Sequence, residues 1–297
     1  MRRIIALILT LLLGFSLAAC GGSNSADTES GEGNAVSATD SDLAKVEEAG
    51  QIVVGMECAY APYNWSQTEE NEYTVEISDG LYADGYDIQI AKRIAEDLGA
   101  ELVIKPTEWS GLISALESGQ IDLIIAGMSP TEERKLSIDF TDTYYDSNLV
   151  VVVKKDSPYA QATSIADFSG AKLTAQLNTF HYTVIDQIDG VEKQTALEDF
   201  AALIQSLESG AIDGYVCEKP GAISAVSSHP DFAYVEFSDG NGFECDPAES
   251  SISVGVRKGS DLTSAINETL SSISKEEREQ LMDEAVSRQP AAEQAAE

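Results

Sequence analysis

Histidine and cysteine are scarce, with two and four in 297 residues. No C-x-x-C or H-E-x-x-H spacing joins them, so a zinc or redox centre has no obvious ligands, and neither a metal nor another cofactor is expected. Basic residues are also few: 18 Lys and Arg face 51 Asp and Glu, for a net charge of −33. Nucleic-acid binding needs a basic surface to neutralise phosphate, and docking on anionic lipid needs a polybasic face, so this composition argues against both. Long apolar runs are missing except for Ile4 to Ala19, whose sixteen residues fall short of a membrane-spanning helix. What remains is a chain long enough for one large or two medium domains and a sizeable core.

Arg2 and Arg3 precede that apolar run, the pattern of a secretory signal over residues 1–19. Its end, Leu17-Ala18-Ala19-Cys20-Gly21, resembles the bacterial lipobox, which implies cleavage before Cys20 and acylation of its thiol. Acyl chains bury methylenes at about 0.8 kcal/mol each, so such a protein is anchored without spanning. The alternative is ordinary secretion with a free cysteine. Residues 20–42 hold almost no large apolar side chain and read as a flexible tether, and residues 289–297 read as a frayed tail.

Between them, short apolar strand-like runs alternate with helical spacing. Gln51 to Gly55, Glu101 to Ile104, Ile121 to Ala126, Leu149 to Val153, Lys172 to Ala175, Ile212 to Val216 and Ser253 to Val256 read as strands. Tyr86 to Leu98, stopped by Gly99, and Leu112 to Glu117 read as helices. The alternation predicts an α/β architecture with mostly parallel sheets. One segment recurs: Leu112 to Asp122 matches Leu203 to Asp213 at eight of eleven positions, as two similarly built lobes would give. Ligands of open α/β sheets bind beyond the carboxyl ends of strands. There, Ser129-Pro130-Thr131-Glu132 predicts a helix start with a capping box, and Arg134 one turn in offers a planar fork for a carboxylate. After the second copy, Glu218 offers a partner for an ammonium, or is simply a solvent-facing charge.

Taken together, Val54-Gly55 with Tyr60-Ala61-Pro62-Tyr63, Gly85-Tyr86-Asp87, Trp109 to Ile113, Asp122 to Arg134, Asp139-Phe140-Thr141 with Tyr144-Tyr145, and Val254 to Gly259 resemble the family 3 amino-acid-binding solute receptors of ABC importers. The likeness covers about Val46 to Asp283. It implies the type II periplasmic-binding-protein fold, two Rossmann-like α/β lobes with a ligand cleft between them and a two-strand hinge. The hinge is expected near Tyr145-Asp146-Ser147 and near Asp246-Pro247-Ala248. Lobe 1 then comprises 43–146 plus 250–288, and lobe 2 comprises 147–249.

The resemblance also implies roles. Arg134 matches the clamp on the ligand α-carboxylate, with Gly127, Ser129 and Thr131 as surrounding donors. Glu218 matches the acid that binds the α-ammonium, and Tyr60 and Trp109 match the aromatic walls. In Asn178-Thr179-Phe180-His181, which replaces the family's Gly-Thr-Thr-Gln-like turn, Thr179 and the Phe180 backbone N–H remain as contacts. Glu57 occupies a position often acidic in receptors for cationic amino acids; beside two aromatics it suggests a basic ligand, with glutamine or cystine as alternatives. The implied partners are a free amino acid, permease subunits and, through Cys20, the outer face of the bacterial cell membrane; a monomer is expected. Competing functions are a cyclic amino-acid dehydratase on the same scaffold, which needs a general acid in the cleft, and a sensory or adhesive module. Cys58, Cys217 and Cys245 leave an odd number beyond Cys20, so at least one has no partner within the chain. A Cys58–Cys217 disulfide is disfavoured because it would oppose opening, while pairing of either with Cys245 stays open. His181 and His229 are expected in surface or loop roles.

Overall fold

A computed structural model describes residues 41–247 and 249–290. The signal segment, Cys20, the tether up to residue 40, Ala248 and residues 291–297 lie outside the described residues. Helix α1 (Asp42–Ala49) leads into β1 (Gln51–Met56), followed by four short strands, β2 (Ala59–Tyr60), β3 (Asn64–Gln67), β4 (Val75–Ser78) and β5 (Leu81–Asp84). Then come α2 (Tyr86–Asp97), β6 (Glu101–Pro106), α3 (Leu112–Glu117), β7 (Leu123–Ile124), β8 (Ile138–Asp146) and β9 (Leu149–Lys154). The chain continues through β10 (Lys172–Thr174), α4 (Phe180–Val184), β11 (Glu192–Lys193), α5 (Phe200–Glu208), β12 (Gly214–Glu218), α6 (Lys219–Ser228) and β13 (Phe232–Val235). It returns as β14 (Ser251–Arg257), α7 (Leu262–Ser272) and α8 (Lys275–Arg288).

Two five-stranded sheets result, ordered β6-β1-β7-β14-β8 and β11-β10-β12-β9-β13. The first three strands of each run parallel, and the remaining pairings are antiparallel. The expectation of mostly parallel sheets is therefore corrected. The reason is topological: β9 and β14 are each delivered by a passage from the opposite sheet, and such a strand escapes the constraint that a helical crossover imposes. Val150 to Val153 of β9 are all fully buried, because that strand lies between β12 and β13 with both faces covered. The four-stranded antiparallel sheet β2-β3-β5-β4 was not anticipated; its edge strand β4 shows no fully buried residue and so gives no strong apolar signal.

The repeated segment builds the same corner twice. Asp122 N donates to Val53 O (2.7 Å) while its carboxylate accepts from Val53 N (3.1 Å); Asp213 does the same with Lys172 O and N, both at 2.8 Å. Gly119 and Gly210 share φ of 73°, the left-handed turn that ends each helix. Asp213→Ala is expected to cost about 1 kcal/mol in urea denaturation, since it strips the Lys172 N–H of its carboxylate; an unchanged midpoint would leave that contact without weight.

Two boundaries shift. Asp42, placed in the tether by its surroundings, instead begins α1: Ser41 caps the helix by accepting from Ala44 N (3.0 Å), and buried Asp42 pairs with Arg257 at 2.9 Å. No capping box forms at Ser129 and Glu132. The helix expected there is a single 3₁₀ turn, Arg134–Leu136, and the hydroxyl that accepts from Arg134 N is that of Thr131 (3.3 Å). The Ser129 carbonyl instead accepts from Thr131 N (3.0 Å) and from the Arg134 side chain (2.8 Å).

The chain passes between sheets at Ser147-Asn148 and again between β13 and β14. The passages adjoin: Ser251 pairs with Asp146, and Ser147 N donates to Ser250 O (3.3 Å).

Candidate functional site

Arg134 follows the carboxyl end of β7, and Glu218 closes β12, the equivalent strand of the other sheet. Strand ends expose backbone and side chains to the gap between the sheets, and both residues turn into it. They are nonetheless only 8% and 2% exposed. Between them lies a cavity of about 10 Å³, room for one water. It is lined by Tyr60, Trp109, Gly127, Ser129 and Arg134 from one side and Gln176, Thr179, Phe180, His181 and Glu218 from the other. A larger open hollow of about 720 Å³ lies elsewhere, bordered by β8 and β14, but its ionisable residues, among them Lys135, Asp139 and Lys258, are exposed or half-exposed and fixed by no buried network.

Buried charges must be partnered. Arg134 donates to Ser129 O (2.8 Å) and, across the gap, to Asn178 O (2.9 Å), while its guanidinium lies 4.9 Å above the Trp109 ring. Burial pulls it down to about 10, with Glu218 opposing, so it stays charged at neutral pH. Glu218 accepts from the Tyr60 hydroxyl, and its other oxygen lies 2.8 Å from His181 Nε2. Burial raises this carboxyl, but His181 and Tyr60 more than offset that and hold it below the usual value. Tyr60 stacks on Phe200 at 4.0 Å, so the same ring that reaches Glu218 also packs apolar surface across the gap.

Around this centre stands a supporting shell. Asp87, fully buried, accepts from Asn64 Nδ2 and the Tyr144 hydroxyl, both at 2.8 Å, and Tyr144 in turn accepts from Gly127 N at 3.2 Å. Burial pushes Asp87 up to about 6 against those hydrogen bonds. Gly127 has φ of 61°, and a Cβ there would meet the Tyr60 ring at 3.0 Å, so glycine is required twice over. Gly85, at φ 134°, lets the first N–H groups of α2 reach Pro62 O and Tyr63 O; a Cβ would lie 2.2 Å from Tyr63 O.

Residues 52–286 match the bacterial extracellular solute-binding proteins, family 3. The chain belongs to that family. It is 28% identical over 275 residues to the arginine-binding extracellular protein ArtP of Bacillus subtilis, covering 91% of this chain and 92% of that one. It is 29% identical over 236 residues to the L-cystine-binding protein TcyJ of Escherichia coli, covering 79% and 81%. The crystal structure of the amino acid ABC transporter substrate-binding protein AbpA from Streptococcus pneumoniae bound to L-arginine superposes with a TM-score of 0.69 at 27% identity, covering 82% of this chain and 97% of that one. The type II periplasmic-binding-protein fold follows.

Of the site residues expected from sequence, Tyr60, Trp109, Gly127, Ser129, Arg134, Thr179, Phe180 and Glu218 converge on the cavity. Two stand back from it. Thr131 supports the Arg134 backbone, and Glu57 reaches the cavity only through Gln176, whose amide donates to it at 3.1 Å. Burial pushes Glu57 up to about 7, with the Gln176 bond opposing and the charge of Asp199 adding to the rise. His181 corrects an expectation: it is buried, 5% exposed, and meets Glu218. Its place as the second residue of α4, on the turn that follows a strand, was the available signal. Gln176 and Asn64 had none, since only folding brings them here; Asn178 and Tyr144 stood within the quoted motifs but were given no role. Cys58, Cys217 and Cys245 are all free thiols, and burial, followed by the charges of Asp87 and Glu57, pushes Cys58 up to about 12.

Proposed function

We propose that this chain is an extracytoplasmic receptor that takes one free polar amino acid, with a basic side chain favoured, between its lobes and delivers it to the permease of an ABC importer. The observation that carries the reading is the pair Arg134 and Glu218: opposite charges from opposite sheets, both nearly buried, facing one cavity. A zwitterion leaves water only where both its charges find partners, and this pair supplies them. Admitting it requires the cavity to widen, with Arg134 exchanging the Asn178 carbonyl for the ligand carboxylate, and Tyr60 ceding Glu218 to the ammonium. The passages at Ser147-Asn148 and before β14 would serve as the hinge, and closure on the ligand is stabilised by its differential affinity for the closed state. Relatives named as arginine-, cystine- and glutamine-binding proteins support an amino acid as the ligand.

Glu57 supports a cationic side chain once ionised. Its bond to Gln176 favours a second reading, a glutamine or cystine receptor, in which the carboxyl group serves as a neutral hydrogen-bonding partner. Binding without chemistry is proposed because Glu218, the carboxylate that faces the cavity, is held ionised, whereas a dehydratase needs a proton donor there. A monomer anchored through Cys20 on the outer face of the membrane completes the proposal.

Thermal denaturation with each common amino acid tests it. A ligand at a hundred times its dissociation constant adds about 2.7 kcal/mol, a rise of roughly 5–10 °C for a chain of this size. A panel in which no amino acid moves the midpoint rejects the receptor reading.

A further inference from the structure

Buried polar atoms in folded proteins find partners, and one left over beside a ligand cavity marks a contact that the ligand can complete. His181 lines the cavity and is 5% exposed; both ring nitrogens are buried without a well-aligned hydrogen bond among the described residues, and of the two only Nε2 has an ion-pair contact, 2.8 Å from Glu218. Of the other polar side chains around the cavity, four are committed. Arg134 holds the Ser129 and Asn178 carbonyls, Tyr60 holds Glu218, Gln176 holds Glu57 and the Glu198 carbonyl, and Thr179 donates to the Gln176 carbonyl (2.7 Å).

The chemistry of the pair fixes what His181 can offer. An ionised carboxylate only accepts, so the hydrogen facing Glu218 belongs to Nε2, and a neutral imidazole then keeps a bare lone pair on Nδ1. The charged groups around the ring are Glu218 from β12 and Arg134 from the turn after β7, with the Tyr60 hydroxyl from β2 beside them. A bound zwitterion adds an ammonium at Glu218, and in its neutral tautomer the His181 ring meets that ammonium without adding a second cation. The two nitrogens point apart around the ring, so the group that meets Nδ1 is not the one that Glu218 holds.

We propose that His181 is a specificity-determining residue, whose Nδ1 accepts a hydrogen bond from an N–H on the side chain of the bound amino acid. This rests on the amino-acid-receptor reading. Arginine, glutamine, histidine and cystine each carry such an N–H beyond the α-carbon; glutamate and the aliphatic amino acids do not.

The chain has only two histidines, so ¹⁵N-histidine labelling with a His229→Gln variant assigns His181 outright. Calorimetry first identifies which of arginine, glutamine, histidine and cystine binds, and that ligand is then titrated into the labelled protein. The expected spectrum has Nε2 protonated and Nδ1 unprotonated, with the Nδ1 resonance moving as the ligand saturates. His181→Leu should weaken that ligand by about tenfold or more, and His181→Gln, whose amide oxygen still accepts, should recover most of the loss. If the wild-type protein binds no amino acid at all, the receptor reading falls and the proposal falls with it; if it binds only an amino acid without a side-chain N–H, the receptor reading stands and the proposal is overturned. If it binds one of the four and the Nδ1 resonance stays put, or His181→Leu binds as tightly as the parent, only the proposal is overturned.

Discussion

Arg134→Ala is expected to weaken amino-acid binding by about 100-fold or more, because it leaves the ligand carboxylate desolvated in the cavity without a countercharge. Its cost to the unliganded protein should be small, about 1–2 kcal/mol, since the side chain donates to two carbonyls and contributes little to either apolar core. Arg134→Lys should fall between, retaining charge but losing the fork that reaches Ser129 and Asn178 together. Isothermal calorimetry beside urea denaturation reads both quantities. Binding of undiminished strength in the alanine variant would show that the carboxylate lies elsewhere.

Glu57→Gln should act in opposite senses on stability and on ligand choice. Burial raises this carboxyl from 4.5 to about 7. The folded chain therefore binds more protons than the unfolded one across that window, and the Glu57 contribution to stability is lost as pH rises through it. The amide has nothing to ionise, so the variant should be more stable than the parent at pH 8, by an amount on the order of 3 kcal/mol at most, and nearly equal to it at pH 4, below the unfolded value. A cationic ligand prefers the ionised carboxylate, so the parent's affinity for arginine should climb by up to about tenfold per pH unit below 7 and level off above. The variant should lose both that slope and its preference for arginine over glutamine. Denaturation at the two pH values and calorimetry across pH 5.5–8 provide the check; an arginine preference that survives the substitution rules out the charge of Glu57 as its source.

Much of the architecture was legible. Strands announced themselves where burial is two-sided, as in Val150 to Val153, and the shared helix and turn of Leu112 to Asp122 and Leu203 to Asp213 revealed two lobes of one design. Pairing direction was not legible, because it depends on which strand arrives from the opposite sheet rather than on any local pattern. Arg134 and Glu218 could be placed because each follows the end of a repeated strand. His181 was marked only by its place on a turn after a strand, and that does not decide its role, since an imidazole there looks the same in sequence whether it meets solvent or a buried carboxylate. Ser129 misled for a related reason: its capping signature is local, whereas the claim on its carbonyl comes from a side chain five residues away that has been drawn toward the other lobe.

The two adjoining passages between the sheets act differently from a single strand. One strand can twist freely about its bonds and would let the halves swivel; a ribbon of two, laced by Ser147 to Ser250 and by Asp146 opposite Ser251, can flex like a leaf spring but resists rotation. If the halves open there as proposed, a paired ribbon would favour bending about one axis over twisting about its length, and so would return the guanidinium to the same carbonyl on closure.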